Sequence, residues 1–269
     1  LPIHDMRIFA GEIVAADIFT EGRLLLGVGR GAFKYEIERL GIPMDETRER
    51  FEESLEVLRN LLSFEEVSWK GKYYNFDPIT VMPRPVRLGG PPMMIAVMNP
   101  DGIYNSVKNG FHIQTTPLAG NHQLLLDQVN SFNKAKEEMG KLRENLTISL
   151  SRVAFLAKTE KDRKKKLDEA YSYYSRFDNV FTGPGIVEGG MINPLPRTQS
   201  KEELSESLLI CTAQEMIEKL SIYSEIGIHR VILNINFGSN ASQILDSIQQ
   251  FAEEVMPYFS ESKSKSLAA

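Results

Sequence analysis

The chain has 269 residues, of which 42% are hydrophobic and 25% are charged, a composition typical of globular proteins. Its net charge of -5 argues against a nucleic-acid binder, which needs a basic surface. The single cysteine, Cys211, excludes an internal disulfide, and no Cys/His spacing predicts a metal site. Because no apolar run approaches the ~20 residues that span a bilayer, we expect a cytoplasmic protein without membrane contact.

Short apolar segments alternate with amphipathic stretches along the chain, and this pattern predicts a β/α protein. Strands are predicted at 23–28, 93–97, 111–116, 146–157 and 231–235. Helices are predicted at 45–62, 100–109, 121–139, 160–176, 212–227 and 241–255. These five consecutive βα units fit either an open doubly wound sheet or part of a TIM (β/α)8 barrel, and both remain open at this point.

Local signals place several of the helix ends. Asp45 is the predicted N-cap of its helix, Gly110 follows the end of another, and Pro257 is expected to stop the last one. Thr212 and Glu215 form a predicted capping box. We expect one domain over residues 1–258 followed by a polar tail at 259–269.

Two segments interrupt the βα alternation. Residues 67–87 are predicted to form a small hairpin insertion beside the main sheet. Residues 177–200 are rich in glycine and proline and predict a long loop. A loop of this length is either an active-site lid or a surface excursion, and length alone does not distinguish them.

Three glycines, Gly27, Gly29 and Gly31, end the first predicted strand. Glycines at the carboxyl end of a parallel strand allow main chain to approach a ligand closely. The match of Gly27-x-Gly29-x-x-Ala32 to the dinucleotide fingerprint lacks the required context, because the next predicted helix begins only at Asp45.

Two arginines near these glycines point to an anion instead. Arg30 lies among the glycines, and Arg48 lies in the first turn of the following helix, where a cation opposes the helix dipole. A bound phosphate would reverse that penalty, and guanidinium groups suit bidentate phosphate binding. The alternative is a surface ion pair of Arg48 with Glu36, Glu49 or Glu52.

A third candidate contributor follows the second predicted strand at Met98, Asn99 and Gly102. Asn99 either caps the helix that begins at Pro100 or donates its side-chain amide to a phosphate. The N–H groups near Gly102 lie at a helix start, where anions bind.

Several segments of the sequence resemble those of the bacterial-luciferase-like flavin monooxygenase superfamily. The resemblance begins with LPIHDMRIFAGEIVAADIFTEGRLLLGVGRG at residues 1–31 and continues through GIPMDETRERFEESLEVL and PMMIAVMNPDGI. It resumes at LLICTAQEMIEKL, GIHRVILNINFG and FAEEVMPYF, so that it covers almost the whole chain. The order and spacing of these segments, rather than any single motif, make the resemblance specific.

The resemblance implies an α/β TIM barrel that binds reduced FMN at its carboxyl-terminal face. It assigns the flavin phosphate to Arg30 and Arg48, with Asn99 and the main chain of Gly102 where luciferases have hydroxyl residues. It further implies a monooxygenase that uses O2 to oxygenate a small organic substrate. A separate NAD(P)H:flavin reductase is expected to supply the reduced FMN. Family members are often homodimers. Cofactor contacts are accordingly expected at Gly29, Arg30, Arg48, Met98, Asn99 and Gly102.

The substrate pocket is less well defined by the sequence. Phe33, Gln114, Thr115 and Asn236 are candidate lining residues, because they lie near the carboxyl ends of predicted strands, where barrel active sites gather. No triad, paired acid and base or metal spacing predicts a catalytic residue.

In the family, three βα units precede the segment with which this chain opens, so we expect the first three units of the barrel to be absent from it. Two alternatives to the monooxygenase remain. One is a deazaflavin-dependent oxidoreductase of the same superfamily, and the other is a non-catalytic flavin-binding protein.

Overall fold

The structure is a computed structural model that describes residues 1–118, 122–181 and 183–260. It consists of two compact units. The first unit comprises residues 1–96, 110–112 and 180–192, and the second comprises the other described residues. The predicted single domain over 1–258 and the predicted absence of three βα units stay predictions.

The first unit carries a parallel strand pair, an antiparallel hairpin, a second short hairpin and three helices. Its helices are α1 (Met6–Phe19), α2 (Lys34–Arg39) and α3 (Thr47–Ser63). Its strands are β1 (Leu26–Val28), β2 (Val67–Lys70), β3 (Asn75–Ile79), β4 (Met93–Ala96), β7 (Val187–Glu188) and β8 (Met191–Ile192).

Strand β1 pairs in parallel with β4, with Leu26 opposite Met93. Strands β2 and β3 form an antiparallel hairpin within the predicted insertion. Helices α1 and α3 pack together because each buries one apolar stripe at helical spacing. The buried residues of these two stripes are Met6, Ala10, Ile13, Val14, Val57, Leu58, Leu61 and Leu62.

The second unit contains four parallel strands and most of the remaining helices. Its strands are β5 (His112–Thr115), β6 (Ile148–Leu156), β9 (Leu209–Cys211) and β10 (Arg230–Asn234). Its helices are α4 (Pro100–Lys108), α5 (His122–Met139), α6 (Glu160–Phe181), α7 (Lys201–Ser207), α8 (Ala213–Glu225) and α9 (Ala241–Gln250). Two exceptions belong to the first unit. They are Val180 and Phe181 at the carboxyl-terminal end of α6, and His112 at the start of β5.

The order of the strands in the second unit distinguishes the two sheet types that the sequence left open. Strand β6 pairs in parallel with β5 on one side and with β10 on the other, and the carboxyl end of β6 also pairs with β9. Strands β5, β6 and β10 therefore lie side by side in chain order, and β9 lies beside the carboxyl end of β6. This order is typical of a β/α barrel, whereas a doubly wound sheet reverses direction at its middle.

The main predicted strands and helices are present in the structure, and the capping box of Thr212 and Glu215 is confirmed. Three short elements, α2, α7 and β9, were missed because three to seven residues carry too little periodicity. The segment predicted as a structureless loop at 177–200 contains the last turn of α6 and the two-stranded β7–β8 hairpin.

Two predicted helix boundaries are wrong. Asp45 is not an N-cap, because it lies in a 3-10 turn at Met44–Glu46 and α3 begins at Thr47. Pro257 does not stop the last helix, which continues to residue 260 after a π-helical turn at Phe251–Val255. A π turn is one of the devices by which a helix accommodates a local irregularity such as the proline's missing N–H. Most of the predicted tail, 261–269, lies outside the described residues.

Candidate functional site

The first candidate region is the glycine loop, residues 27–33, at the carboxyl end of β1. Gly31 has φ of +87°, and a Cβ at this position would lie 2.9 Å from the Ile37 side chain, so glycine is required there. Gly27 and Gly29 have no heavy atom within 4 Å of the position where a Cβ would lie. The main chain at these two residues is therefore open to a ligand.

The glycine loop lines a pocket of about 270 Å³ in the first unit. Arg30 and Phe33 contribute side chains to it, and Phe181 at the end of α6 contributes an apolar wall. The main-chain nitrogen of Leu1 donates a hydrogen bond to the Gly29 carbonyl at 2.8 Å, which holds the amino-terminal segment against the loop. The Arg30 side chain is exposed.

Arg48 is the second residue of α3 and is exposed, which confirms its predicted place in the first helical turn. The predicted alternative partner Glu49 instead pairs with Lys72 at 2.7 Å and accepts a hydrogen bond from the Tyr73 hydroxyl. Within the described ranges, neither Arg30 nor Arg48 forms a salt bridge. Both guanidinium groups therefore remain available to an anion from outside the chain.

The second candidate region is the asparagine turn, residues 97–102, between β4 and α4. The Asn99 Oδ1 atom accepts a hydrogen bond from the Gly102 N–H at 2.5 Å and so caps α4, and Pro100 occupies the first turn. A Cβ on Gly102 would lie 2.7 Å from the Val97 side chain. Asn99 and Gly102 thus both have structural roles, and the Gly102 N–H is already occupied.

The carbonyl of Met98 is held by a residue that the sequence analysis missed. Gln128 on α5 donates from Nε2 to the Met98 carbonyl at 2.6 Å and to the Thr116 carbonyl at 3.4 Å. Its side chain is fully buried, between Leu125 and Val129 in the apolar stripe of the helix. A glutamine within an apolar stripe is the signal that would have identified it. Gln128 therefore ties two segments of the second unit, at Met98 and Thr116, to one helix.

The candidate substrate-pocket residues have different environments. Phe33 lines the pocket of the glycine loop. Thr115 is 2% exposed, whereas Asn236 is exposed and its main-chain N–H donates to the Asn234 side chain.

Gln114 lies opposite Ser149, the second residue of β6, and is half-buried. Near the carboxyl end of β10, the side-chain amide of Asn234 donates to the Tyr173 hydroxyl at 3.3 Å, a contact that the sequence analysis did not anticipate.

Burial keeps two ionisable groups of the second unit, Tyr174 and Cys211, neutral. Burial raises the pKa of the Tyr174 phenol to about 12 and that of the Cys211 thiol to about 11. A thiol with a raised pKa is a poor nucleophile at neutral pH. In the part of the chain that the structure describes, no group of three or more His, Cys, Asp or Glu residues is arranged to hold a metal ion, and no helix is long and apolar enough to cross a membrane.

Comparison with known proteins gives these features a context. The family described as luciferase-like monooxygenase matches residues 1–230. The chain belongs to the luciferase-like monooxygenase family. The resemblance predicted from the sequence is therefore confirmed, and the prediction of a flavin-dependent monooxygenase class of enzyme is confirmed at the level of the family.

A relative from Acinetobacter baylyi, the oxygenase component of flavin-dependent trigonelline monooxygenase, is 30% identical over 97% of this chain and 74% of its own length. The oxygenating constituent of 3,6-diketocamphane monooxygenase from Pseudomonas putida, solved in complex with FMN, superposes with a TM-score of 0.69 at 18% identity, over 96% of this chain and 77% of that one.

An F420-dependent secondary alcohol dehydrogenase, solved with an F420-acetone adduct, superposes with a TM-score of 0.73 at 19% identity, over 94% of this chain and 74% of that one. At such identities the likeness of the solved structures shows the fold alone. The predicted class, an α/β TIM barrel of the luciferase-like type, is confirmed.

Proposed function

We propose that this protein is the oxygenase of a two-component system, which uses reduced FMN and O2 to oxygenate a small organic substrate. A separate NAD(P)H:flavin reductase supplies the reduced flavin. The observation that carries this proposal is the pair of exposed arginines, Arg30 and Arg48, which lie at the carboxyl end of β1 and the start of α3 without an acidic partner among the described residues.

The glycine loop has the chemistry that a flavin phosphate requires. Guanidinium groups donate in pairs to phosphate oxygens, and these charge-assisted bonds are stronger than neutral ones. Arg48 opposes the dipole of α3, so a phosphate dianion at that helix start would convert an unfavourable position into a favourable one. The open main chain at Gly29 gives the phosphate room to approach.

Reduced flavin, when bound, supplies the electrons with which O2 is activated. The residues of this chain bind the cofactor, orient it and exclude water. Arg30 and Arg48 fix its phosphate end, while Phe33 and Phe181 give the pocket an apolar wall that excludes water. We assign no proton transfer to a described side chain.

The substrate that we propose is small and partly apolar. Phe177, Phe181, Met191 and Ile192 place apolar side chains along residues 177–200, for which a lid is one of the two predicted roles. Two of them, Phe181 and Met191, are 40% and 61% exposed, so they remain available to cover a ligand. The name of the Acinetobacter relative, an oxygenase component, supports the separate reductase.

A deazaflavin-dependent oxidoreductase is the second candidate, and it is favoured by the likeness to the F420-dependent dehydrogenase. The two candidates differ in which cofactor binds more tightly. Parallel titrations of the protein with FMN and with F420 therefore distinguish them. Tighter binding of FMN supports the monooxygenase, and tighter binding of F420 supports the dehydrogenase.

The test of the phosphate site uses two ligands that differ only by a phosphate, FMN and riboflavin. Replacing Arg30 or Arg48 with Met removes about 2 kcal/mol of charge-assisted bonding, so the FMN Kd should rise roughly 30-fold while the riboflavin Kd changes little. Fluorescence quenching of each flavin measures both constants.

The matched control is Arg23→Met, which removes an exposed arginine whose Nε atom donates to the Thr20 carbonyl on the surface. This variant should bind FMN as the unaltered protein does. An equal FMN Kd in Arg30→Met and Arg23→Met would refute the assignment. A riboflavin Kd that rises as much as the FMN Kd in Arg30→Met or Arg48→Met would also refute it.

A further inference from the structure

We propose that the first unit carries a second binding site, separate from the glycine loop, which takes a small aromatic carboxylate through Arg50. The site is a pocket of about 320 Å³ formed by the start of α1, the first turns of α3 and the β2–β3 hairpin. Its side chains include Arg7, Arg50, Tyr73, Tyr74 and Phe76. The glycine-loop residues 29–33, which line the other pocket, do not line this one.

The acidic groups around this pocket are all engaged elsewhere. Asp5 caps α1 and pairs with Arg7 at 2.5 Å. Glu49 pairs with Lys72. Glu53 accepts hydrogen bonds from the Trp69 indole and from main-chain N–H groups of the hairpin turn. Among the described residues, none of the three forms a salt bridge or hydrogen bond with Arg50.

Within the part of the chain that the structure describes, Arg50 is the member of this cluster that has no acceptor. Its Nε atom is buried and has no hydrogen-bond partner in the described residues. Its guanidinium lies 4.6 Å from the centre of the Tyr73 ring, which fixes its plane but accepts no hydrogen bond. A buried charged donor without an acceptor is costly, so an oxyanion from outside the chain would bind favourably.

The rest of the wall favours a ring attached to that anion. Tyr73, Tyr74 and Phe76 present aromatic faces or edges to the pocket. The Tyr74 hydroxyl is not free to bind a ligand, because it donates to the His4 carbonyl and shares a hydrogen bond with the Ser54 hydroxyl, both at 3.0 Å. Burial raises the pKa of Tyr74, so this phenol adds no negative charge to the wall. Because Arg7 is paired with Asp5, Arg50 is left as one unpaired cation among aromatic side chains, which matches a planar body with a single carboxylate.

The test measures the binding of benzoate, benzyl alcohol and inorganic phosphate by calorimetry. Benzoate should bind saturably, and benzyl alcohol, which keeps the ring without the charge, should bind at least tenfold more weakly. Arg50→Met should weaken benzoate at least tenfold, and Arg50→Lys should weaken it less, because a lysine keeps the charge but loses the planar fork.

Two controls separate this site from the other arginines. Arg39→Met removes an arginine that also lies over a tyrosine ring, that of Tyr35, but outside this pocket, and it should leave the benzoate Kd unchanged. Arg30→Met should likewise leave benzoate unchanged, while Arg50→Met should leave FMN unchanged. Because the benzoate assay needs no flavin, failure of the proposed flavin function does not affect it.

Three outcomes would overturn the proposal. They are the absence of saturable benzoate binding, equal benzoate affinity in Arg50→Met and Arg39→Met, and tighter binding of inorganic phosphate than of benzoate. A thermal melt checks the fold of each variant. Arg50→Met should unfold at the same temperature as the unaltered protein or higher, because it removes an unsatisfied buried donor.

Discussion

The glycine loop and the asparagine turn look alike in sequence, since each follows a parallel strand and precedes a helix. They differ in whether their hydrogen-bond donors are already paired with acceptors of the same chain. At the asparagine turn, Asn99 supplies an acceptor that occupies the Gly102 N–H. Arg30 of the glycine loop and Arg48 at the start of α3 can only donate, and no carboxylate in the described ranges pairs with them.

This difference bears on how anion sites are recognised. A helix start is an anion site only when its N–H groups are free, and an asparagine N-cap removes one of them. Arginines without acidic partners retain all their donors. Of the two regions, the glycine loop is therefore the stronger candidate for the flavin phosphate.

The largest effect on stability should come from Gly31→Ala. A Cβ at φ of +87° is strained and would lie 2.9 Å from Ile37, so we expect a loss of about 2 kcal/mol in the free energy of unfolding. Urea denaturation measures this loss. A variant as stable as the unaltered protein would show that the loop is less constrained than the structure indicates.

The next largest effect should be on binding, in Gly29→Ala. A methyl group has free space there, so stability should change by less than about 0.5 kcal/mol. If phosphate approaches this main chain, the FMN Kd should rise roughly tenfold, about 1.4 kcal/mol. Paired denaturation and FMN titration separate the two quantities. Unchanged FMN binding would place the ligand away from Gly29.

The smallest effect should be that of Asn99→Ala, which removes the cap of α4 and should cost about 1 kcal/mol of stability. The FMN Kd should stay within about threefold, since the asparagine turn uses its polar groups internally. Asn99→Asp is the matched variant, because its carboxylate still accepts from Gly102. A stable Asn99→Asp protein that no longer binds FMN would instead assign Asn99 to the phosphate site.

Much of the fold was predictable because it depends on local pattern. The strand that leads into Gly27–Gly31 and the helix between Pro100 and Gly110 are fixed by hydrophobic spacing, proline and glycine. The cap at Asn99 was one of two roles that the sequence left open, and the structure shows it, while the phosphate role of its side-chain amide stays a prediction.

The parts that were not predictable depend on residues distant in sequence. Whether Arg48 is free follows from Glu49, which pairs instead with Lys72, 23 residues along the chain. The contact of Gln128 with Met98 spans 30 residues. No local window contains both partners of either contact, so only the folded chain identifies which donors remain available.

The carboxylate of Glu53 has a consequence for how the hairpin can evolve. It accepts hydrogen bonds from the main-chain N–H groups of residues 72–74. These bonds depend on the main-chain conformation of the turn and not on its side chains. The turn can accept substitutions at Lys72 and keep its attachment to α3. Gly71 is the exception, because any side chain there would collide with Glu53 and Trp69. The main chain of the turn is thus held by Glu53 whatever its side chains are, apart from the single glycine at position 71.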